Sequence, residues 1–389
     1  MERLYWNNDW KFAETWEEAM KEAVYPENEM EDVRLPHTCK ELPYHYFDEH
    51  AYQMLCGYRR HFMAPEAWQG KSVELTFEGV AHDAVVYVNG TEVKAHHCGY
   101  TAFFVELAKY LKYGEDNVLA VRVDSRENLN IPPFGYAIDY MTFGGMYREV
   151  YVQVRNKTHL ADVFIKPQIH PLQVTTEITV QNISDGITLQ QEIRKKGEGA
   201  YRPLGKMPVK QTNMQTVFPV QEIRLWELEN PHLYEIRTGL WKNGEMIDAR
   251  VDITGFREAG FRKDGFYLNG KKLRLRGLNR HQSYPYVGYA APASMQIFDA
   301  DILKKELGVN AVRTSHYPQS QDFIRRCDEI GLLVFTEFPG WQHIGDEEWK
   351  RQAVQNLKEM IVQYRNHPSI ILWGCLLYTS DAADELDGV

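Results

Sequence analysis

From about residue 258 to Gly374 the chain alternates strand and helix at short spacing, and this rhythm restricts the fold more than any other feature. KLRLRGLN, NAVRTSH, LLVFTEF and SIILWG have strand length and strand composition. Between them stand SMQIFDADILKKELG, QDFIRRCDEIG and DEEWKRQAVQNLKEMIVQYRN. The first of these helices carries apolar residues near a 3.6 period and stops at Gly308. Strand–helix–strand units of this length call for a parallel sheet with right-handed crossovers. Eight such strands close a barrel of about 250 residues, so the four strands seen here predict the first half of one.

The residues before 258 obey a different rule. SVELTFEG, DAVVYVNG, NVLAVRVD and REVYVQVR alternate apolar and polar positions, as half-buried strands do. Asn89-Gly90 between two such runs marks a tight hairpin turn. One β-sandwich is expected over 1–155. VFIKPQIH, TTEITVQN, ITLQQEIR and HLYEIRTGLW, with breaks at Ser184-Asp185-Gly186 and Lys242-Asn243-Gly244, predict a smaller immunoglobulin-like sandwich over 156–257. The half barrel then occupies 258–374, and the joint between about 255 and 270 is the expected point of proteolysis.

In parallel βα sheets the reactive groups gather at the C-terminal strand ends. Here those ends read Asn279-Arg280-His281, Arg313-Thr314-Ser315-His316, Glu337 and Trp373. Two histidines and two arginines at one end of one sheet exceed what a random surface offers. Arg313 keeps a second reading, as the structural ion-pair partner of Glu337. Trp373 either walls a pocket or fills the barrel.

Composition narrows the partners. The net charge is −10 and no long basic run occurs, which disfavours nucleic acid and anionic membranes. MERLYWNNDWKFAETWEEAM has charges where a secretion signal needs an apolar run, and no stretch approaches the roughly 20 apolar residues of a membrane span. The five cysteines show no CxxC spacing, so free buried thiols and a cytoplasmic location are expected rather than a zinc site. Aromatic residues, 13% of the chain, either fill sandwich cores, the commoner use, or stack on sugars.

Six segments carry a family resemblance. RLPHT (Arg34–Thr38), IDYMTFGGMYREV (Ile138–Val150), LWELENPHLYEI (Leu225–Ile236), DGFYLNGKKLRLRGLNRHQSYP (Asp264–Pro285), NAVRTSHYP (Asn310–Pro318) and NHPSIILWG (Asn366–Gly374) resemble, in order, glycoside hydrolase family 2, the β-galactosidase and β-glucuronidase group. The resemblance covers nearly everything up to Gly374. It implies a jelly-roll sandwich, an immunoglobulin-like sandwich and a catalytic TIM barrel. It also implies retaining hydrolysis of a β-glycoside, by two carboxyl groups about 5–5.5 Å apart. Through it His281 and His316 are expected to bond sugar hydroxyls in the transition state. Arg313 is expected beneath the pocket against a catalytic carboxylate, and Asp139 on a sandwich loop over the barrel mouth. Glu337 supports the site. The plain reading of Asp139 is a turn carboxylate. Some relatives bind Mg²⁺ through a Glu-x-His pair after the third strand. Here that stretch is Trp341-Gln342-His343, so no metal or cofactor is expected, with Mg²⁺ or Na⁺ in the parent enzyme only weakly supported.

The family's acid/base Glu follows Asn in an Asn-Glu pair shortly after the fourth strand, and its nucleophile lies on the seventh. No Asn-Glu follows Gly374. CLLYTSDAADE, Cys375 to Glu385, can instead be written in codons that match all but the last base of an adapter used in transposase-based DNA library preparation. Residues 375–389 are therefore read as a non-native tail, and the chain as an inactive N-terminal fragment whose parent is a homo-oligomeric β-galactosidase. β-Glucuronidase and β-mannosidase are the runners-up within the family. A non-catalytic carbohydrate-binding β-sandwich protein is the reading from another class.

Overall fold

The computed structural model describes residues 3–45, 48–135, 138 and 140–374. Among these, the first unit is a β-sandwich. Its larger sheet runs Glu31–Val33, Trp10–Ala13, Leu55–Met63, Asp116–Asp124, Asp83–Val88, Thr91–His96. Its smaller sheet runs Leu4–Tyr5, Val150–Arg155, Ser72–Phe77, Phe103–Glu106. Period-two alternation turns Tyr58, Val86 and Val121 of one sheet and Leu75, Phe77 and Val152 of the other into a common core. Asn89 and Gly90 both have positive φ (50° and 83°), the conformation the two-residue hairpin demands.

The second unit packs a three-stranded sheet (His159–Ile169, Leu172–Gln181, Asn213–Pro219) on a four-stranded one (Arg202–Pro208, Ile187–Lys195, Tyr234–Lys242, Glu245–Thr254). Buried Gln191 sits in the middle. It donates to Thr176 Oγ1 and Thr238 Oγ1 (3.1 and 3.0 Å) and accepts from Thr216 Oγ1 at 2.7 Å. A polar group in an apolar core costs little when each of its atoms is satisfied in this way.

Four parallel strands follow in chain order: Gly277–Asn279, Ala311–Thr314, Leu333–Glu337, Ile370–Gly374. Helices Ala293–Asp301 (extended by a π turn, Ile302–Glu306), Gln321–Ile330 and Glu347–Tyr364 cover one side. Ser320 and Asp346 cap the last two by accepting from amides of the first turn, and Gly331 ends the second helix at φ 71°. The half barrel expected from the strand–helix rhythm is present.

Two expectations need correction. KLRLRGLN is not one strand. Lys271–Leu273 belongs to a small antiparallel sheet with Ala259–Arg262 and Gly265–Leu268, and only Gly277–Asn279 joins the barrel. Asn269 and Gly270 (φ 52° and 76°) make another two-residue turn that commits Lys271–Leu273 to the hairpin. Asn310 then bridges the break, with Oδ1 accepting from Arg276 N and Nδ2 donating to Arg274 O. The joint near 255–270 is also not an open linker. Phe256 is fully buried, and Phe266 and Leu268 share a core with Trp226, Leu233 and Leu333. Arg257 donates to the carbonyls of Pro368 and Ile370.

Further side chains fasten the units together. Trp226 Nε1 donates to Asp328 O at 2.8 Å. Asn366 accepts from Ile165 N and donates to Val163 O and Asp252 Oδ1. Arg148, from the first sandwich, donates to Glu78 O and Tyr100 O on its own side and to Gln282 Oε1 and Pro318 O in the barrel loops. Four of the five cysteines, Cys39, Cys56, Cys98 and Cys327, lie among the described residues, buried and unpaired. No helix among the described residues is long and apolar enough to cross a membrane.

Candidate active site

The C-terminal ends of the second and third barrel strands meet through Glu337. One carboxylate oxygen accepts from Arg313 Nε, and the other lies 3.1 Å from His316 Nδ1. Arg313 Nη2 is 3.4 Å from the same ring nitrogen. The shorter contact, to the carboxylate, assigns the proton to Nδ1 and leaves Nε2 for a further partner. Both Glu337 and His316 are buried, so this charge cluster is screened little by solvent. Arg313 is thus an ion-pair partner of Glu337 and stands beside His316.

His281, after the first strand, is exposed. Its ring centroid lies 5.5 Å from that of His316, and its Nδ1 is 3.2 Å from Tyr317 Oη. Burial pushes the Tyr317 hydroxyl up to about 12, so it keeps its proton at neutral pH and can donate. Tyr317 stacks on Tyr100 of the first sandwich at 4.5 Å, which fixes the loop carrying His316 against that domain.

Aromatic rings close the cluster. Tyr140, from the loop of the first sandwich, lies 5.5 Å from His281 and 5.9 Å from His316. Buried Trp341 lies 4.8 Å from His316 and 6.0 Å from Tyr140. Trp341 thus braces a rim histidine. His343 packs instead under the sandwich loop. A Cβ on Gly135 (φ 127°) would lie 2.0 Å from its ring. No group of three or more His, Cys, Asp and Glu side chains suited to a metal occurs among the described residues.

Two of the residues singled out from the sequence, Arg280 and Trp373, fall elsewhere. Asp139 lies outside the described residues, as do residues 375–389. Arg280 turns away from the rim. It is held by Asp299, Gln296 and Gln319 and covers the Phe323 ring at 4.1 Å. Trp373 does not join the cluster either. It pairs with Thr336, whose hydroxyl faces Met360 of the covering helix, whereas Glu337 pairs with Gly374. Side chains alternate along a strand, so Trp373 and Glu337 occupy opposite faces of the sheet. Sequence reasoning missed Tyr140, Tyr317 and Trp341 as cluster members. The first two stand inside the quoted segments IDYMTFGGMYREV and NAVRTSHYP, and Trp341 was weighed only as a lost metal ligand.

Two grooves of about 500 and 630 Å³ lie away from this rim, which is open rather than enclosed because four strands cannot surround a cavity. Histidine, arginine and glutamate gather at the strand ends of a parallel barrel sheet, beside Tyr140 from a preceding sandwich, and this defines a barrel protein with a polar strand-end site and sandwich domains ahead of it. Profiles described as "Glycosyl hydrolases family 2, sugar binding domain", "Glycosyl hydrolases family 2" and "Glycosyl hydrolases family 2, TIM barrel domain" match residues 31–155, 158–257 and 260–377. The chain belongs to glycosyl hydrolases family 2.

A β-galactosidase of Thermoanaerobacter pseudethanolicus is 46% identical over 95% of this chain and 51% of its own length. A β-glucuronidase of Bacteroides fragilis is 31% identical over 83% of this chain and 50% of its own length. The crystal structure of a Bacteroides uniformis β-glucuronidase superposes with a TM-score of 0.88 at 29% identity, covering 100% of this chain and 49% of that one. The chain spans about half the length of these relatives.

Proposed function

We propose that this chain is the N-terminal part of a retaining β-glycosidase acting on terminal β-D-galactosides, that it supplies sugar-binding groups of the active site, and that it carries neither catalytic carboxylate. The observation that carries the reading is the cluster of His281, His316, Arg313 and Glu337 on one barrel rim. His316 is oriented through Nδ1 by Glu337 and so has Nε2 for a sugar hydroxyl. Hydrogen bonds of this kind raise the rate when they strengthen as positive charge develops on the sugar ring.

Galactoside is preferred to glucuronide for two reasons. Identity is 46% to the Thermoanaerobacter β-galactosidase against 31% to the Bacteroides β-glucuronidase. A glucuronate carboxylate also needs a free cation. Among the described residues Arg313, the arginine of the rim, is engaged by Glu337, and Arg280 is drawn away from the rim by Asp299. The close superposition on a β-glucuronidase supports glucuronide as the second reading.

The test has two arms. The chain itself, offered nitrophenyl β-galactoside and β-glucuronide, is expected to show no turnover above buffer. Residues 1–374 joined to the matching remainder of the Thermoanaerobacter enzyme are expected to prefer galactoside, and His316→Phe in that fusion to lose about 10²-fold, mainly in kcat. Activity of the bare chain, a preference for glucuronide, or unchanged kinetics in His316→Phe would each overturn the corresponding part.

A further inference from the structure

We propose that the groove between strand Thr91–His96 of the first sandwich and helix Glu347–Tyr364 of the barrel binds a tetrahedral oxyanion, phosphate or sulfate. The groove measures about 630 Å³, and no residue of the rim cluster lines it. Four cationic side chains do: Lys94, Lys350, Arg351 and Lys358. Glu347 neutralises Lys350 at 2.8 Å, and Glu348 neutralises Arg351. Lys94 and Lys358 have no ion-pair partner among the described residues.

The floor of the groove supplies the second observation. Asn356 is 1% exposed and His96 5% exposed, and both line the groove. Asn356 Nδ2 and His96 Nδ1 are buried without a hydrogen-bond partner. A buried donor is seldom left unpaired, and the Asn356 amide at the base of a charged groove points to a ligand that accepts; His96, whose Nε2 donates to Glu359, presents Nδ1 as an acceptor and is not counted. The neighbouring carboxylate does not compete. Glu359 Oε2 takes His96 Nε2 (3.0 Å) and Thr101 Oγ1 (2.7 Å), and its Oε1 takes Gln355 Nε2 at 2.9 Å. A tetrahedral oxyanion carries enough acceptor oxygens to meet one amide and two ammonium groups at once. Bound there, it would tie the sandwich, through Lys94, to the barrel helix, through Asn356 and Lys358.

The experiment titrates the full chain with sodium phosphate and with sodium sulfate against sodium chloride at matched ionic strength. Calorimetry and thermal unfolding are the readouts. Saturable millimolar binding is expected, with Tm raised by about 2 °C at ten times Kd. Lys94→Gln with Lys358→Gln should abolish the saturable component while leaving the chloride Tm unchanged. Asn356→Asp, which exchanges the buried donor for an acceptor, should weaken binding at least tenfold. Equal responses in the parent and the lysine variant would mark a general salt effect and overturn the proposal, as would the absence of saturable binding.

Discussion

Glu78 gives the sharpest thermodynamic test of this fold. Its carboxyl is 3% exposed at the end of strand Ser72–Phe77, and among the described residues its one ion-pair contact is Arg3 Nη1 at 3.4 Å. Burial pushes the group up to about 7, because loss of water outweighs the attraction of Arg3, and Glu149 and Asp322 add negative potential. The folded value thus lies above the unfolded one. Protonation favours the native state, and stability is full below the ordinary carboxylate range and lost as pH rises through 7. Roughly 2.5 pH units at about 1.36 kcal/mol each give a cost of about 3 kcal/mol above pH 8. Glu78→Gln keeps the shape without the charge. It should match the parent at pH 4 and exceed it by about 3 kcal/mol at pH 8. Urea unfolding of the full chain, followed by hydrogen exchange at the amides of Ser72–Phe77, reads the effect where it arises. Parallel stability curves for the two proteins between pH 4 and 8 would refute the reasoning.

Three other perturbations follow from the joints between units. Burial raises the Glu359 carboxyl, but hydrogen bonds from His96, Gln355 and Thr101 overcome it and hold the group down at about 2. Its contribution is present above the ordinary carboxylate range and lost as pH falls toward 2, so Glu359→Gln should cost about 2 kcal/mol at pH 6 and flatten the acid limb of the urea midpoint against pH. Arg148→Met removes four hydrogen bonds from one buried guanidinium and leaves their acceptors unpaired. About 3 kcal/mol of destabilisation is expected in urea, with faster exchange in 310–320, and a loss below about 1 kcal/mol would dismiss its role. Trp226→Phe deletes the bond to Asp328 O and leaves a gap in the core shared with Leu233, Phe266, Leu268 and Leu333, at about 2–3 kcal/mol by the same assay.

The sequence made the layers legible because each has its own period. Alternation in SVELTFEG and NVLAVRVD, and the Asn-Gly turn at 89–90, became strands and a hairpin as read. The 3.6-residue rhythm of SMQIFDADILKKELG became helix Ala293–Asp301 and a π turn without a side-chain cap, and the two later segments became helices capped by Ser320 and Asp346. The failures have equally local causes. The apolar run of KLRLRGLN suggests one strand, but Asn269-Gly270, the same turn signal as at 89–90, folds its first residues back into a hairpin. Arg202–Pro208 and Asn213–Pro219 carry prolines and little alternation, so the period test passes over them, and their pairing with neighbouring strands decides their conformation.

The candidate site was legible in one respect and not in another. Strand-end position alone brought Arg313, His316 and Glu337 together, because the parallel topology puts those ends on one rim. Position alone could not say which way a side chain turns. Arg280 and Trp373 sit at strand ends, yet one is drawn under a helix by Asp299 and the other falls on the wrong parity. The segments that made the family recognisable also contain less chemistry than their distinctness implies. Trp226 in LWELENPHLYEI, Asn366 in NHPSIILWG and Arg148 in IDYMTFGGMYREV each bond across a boundary between units. Such residues are as restricted as pocket residues, since a buried donor facing another domain has one acceptable partner geometry. A resemblance built on them is evidence that the sandwiches dock on the barrel in a set way. That docking brings the Tyr140 loop beside His281 and His316, and the rim is completed by the first domain as much as by the barrel.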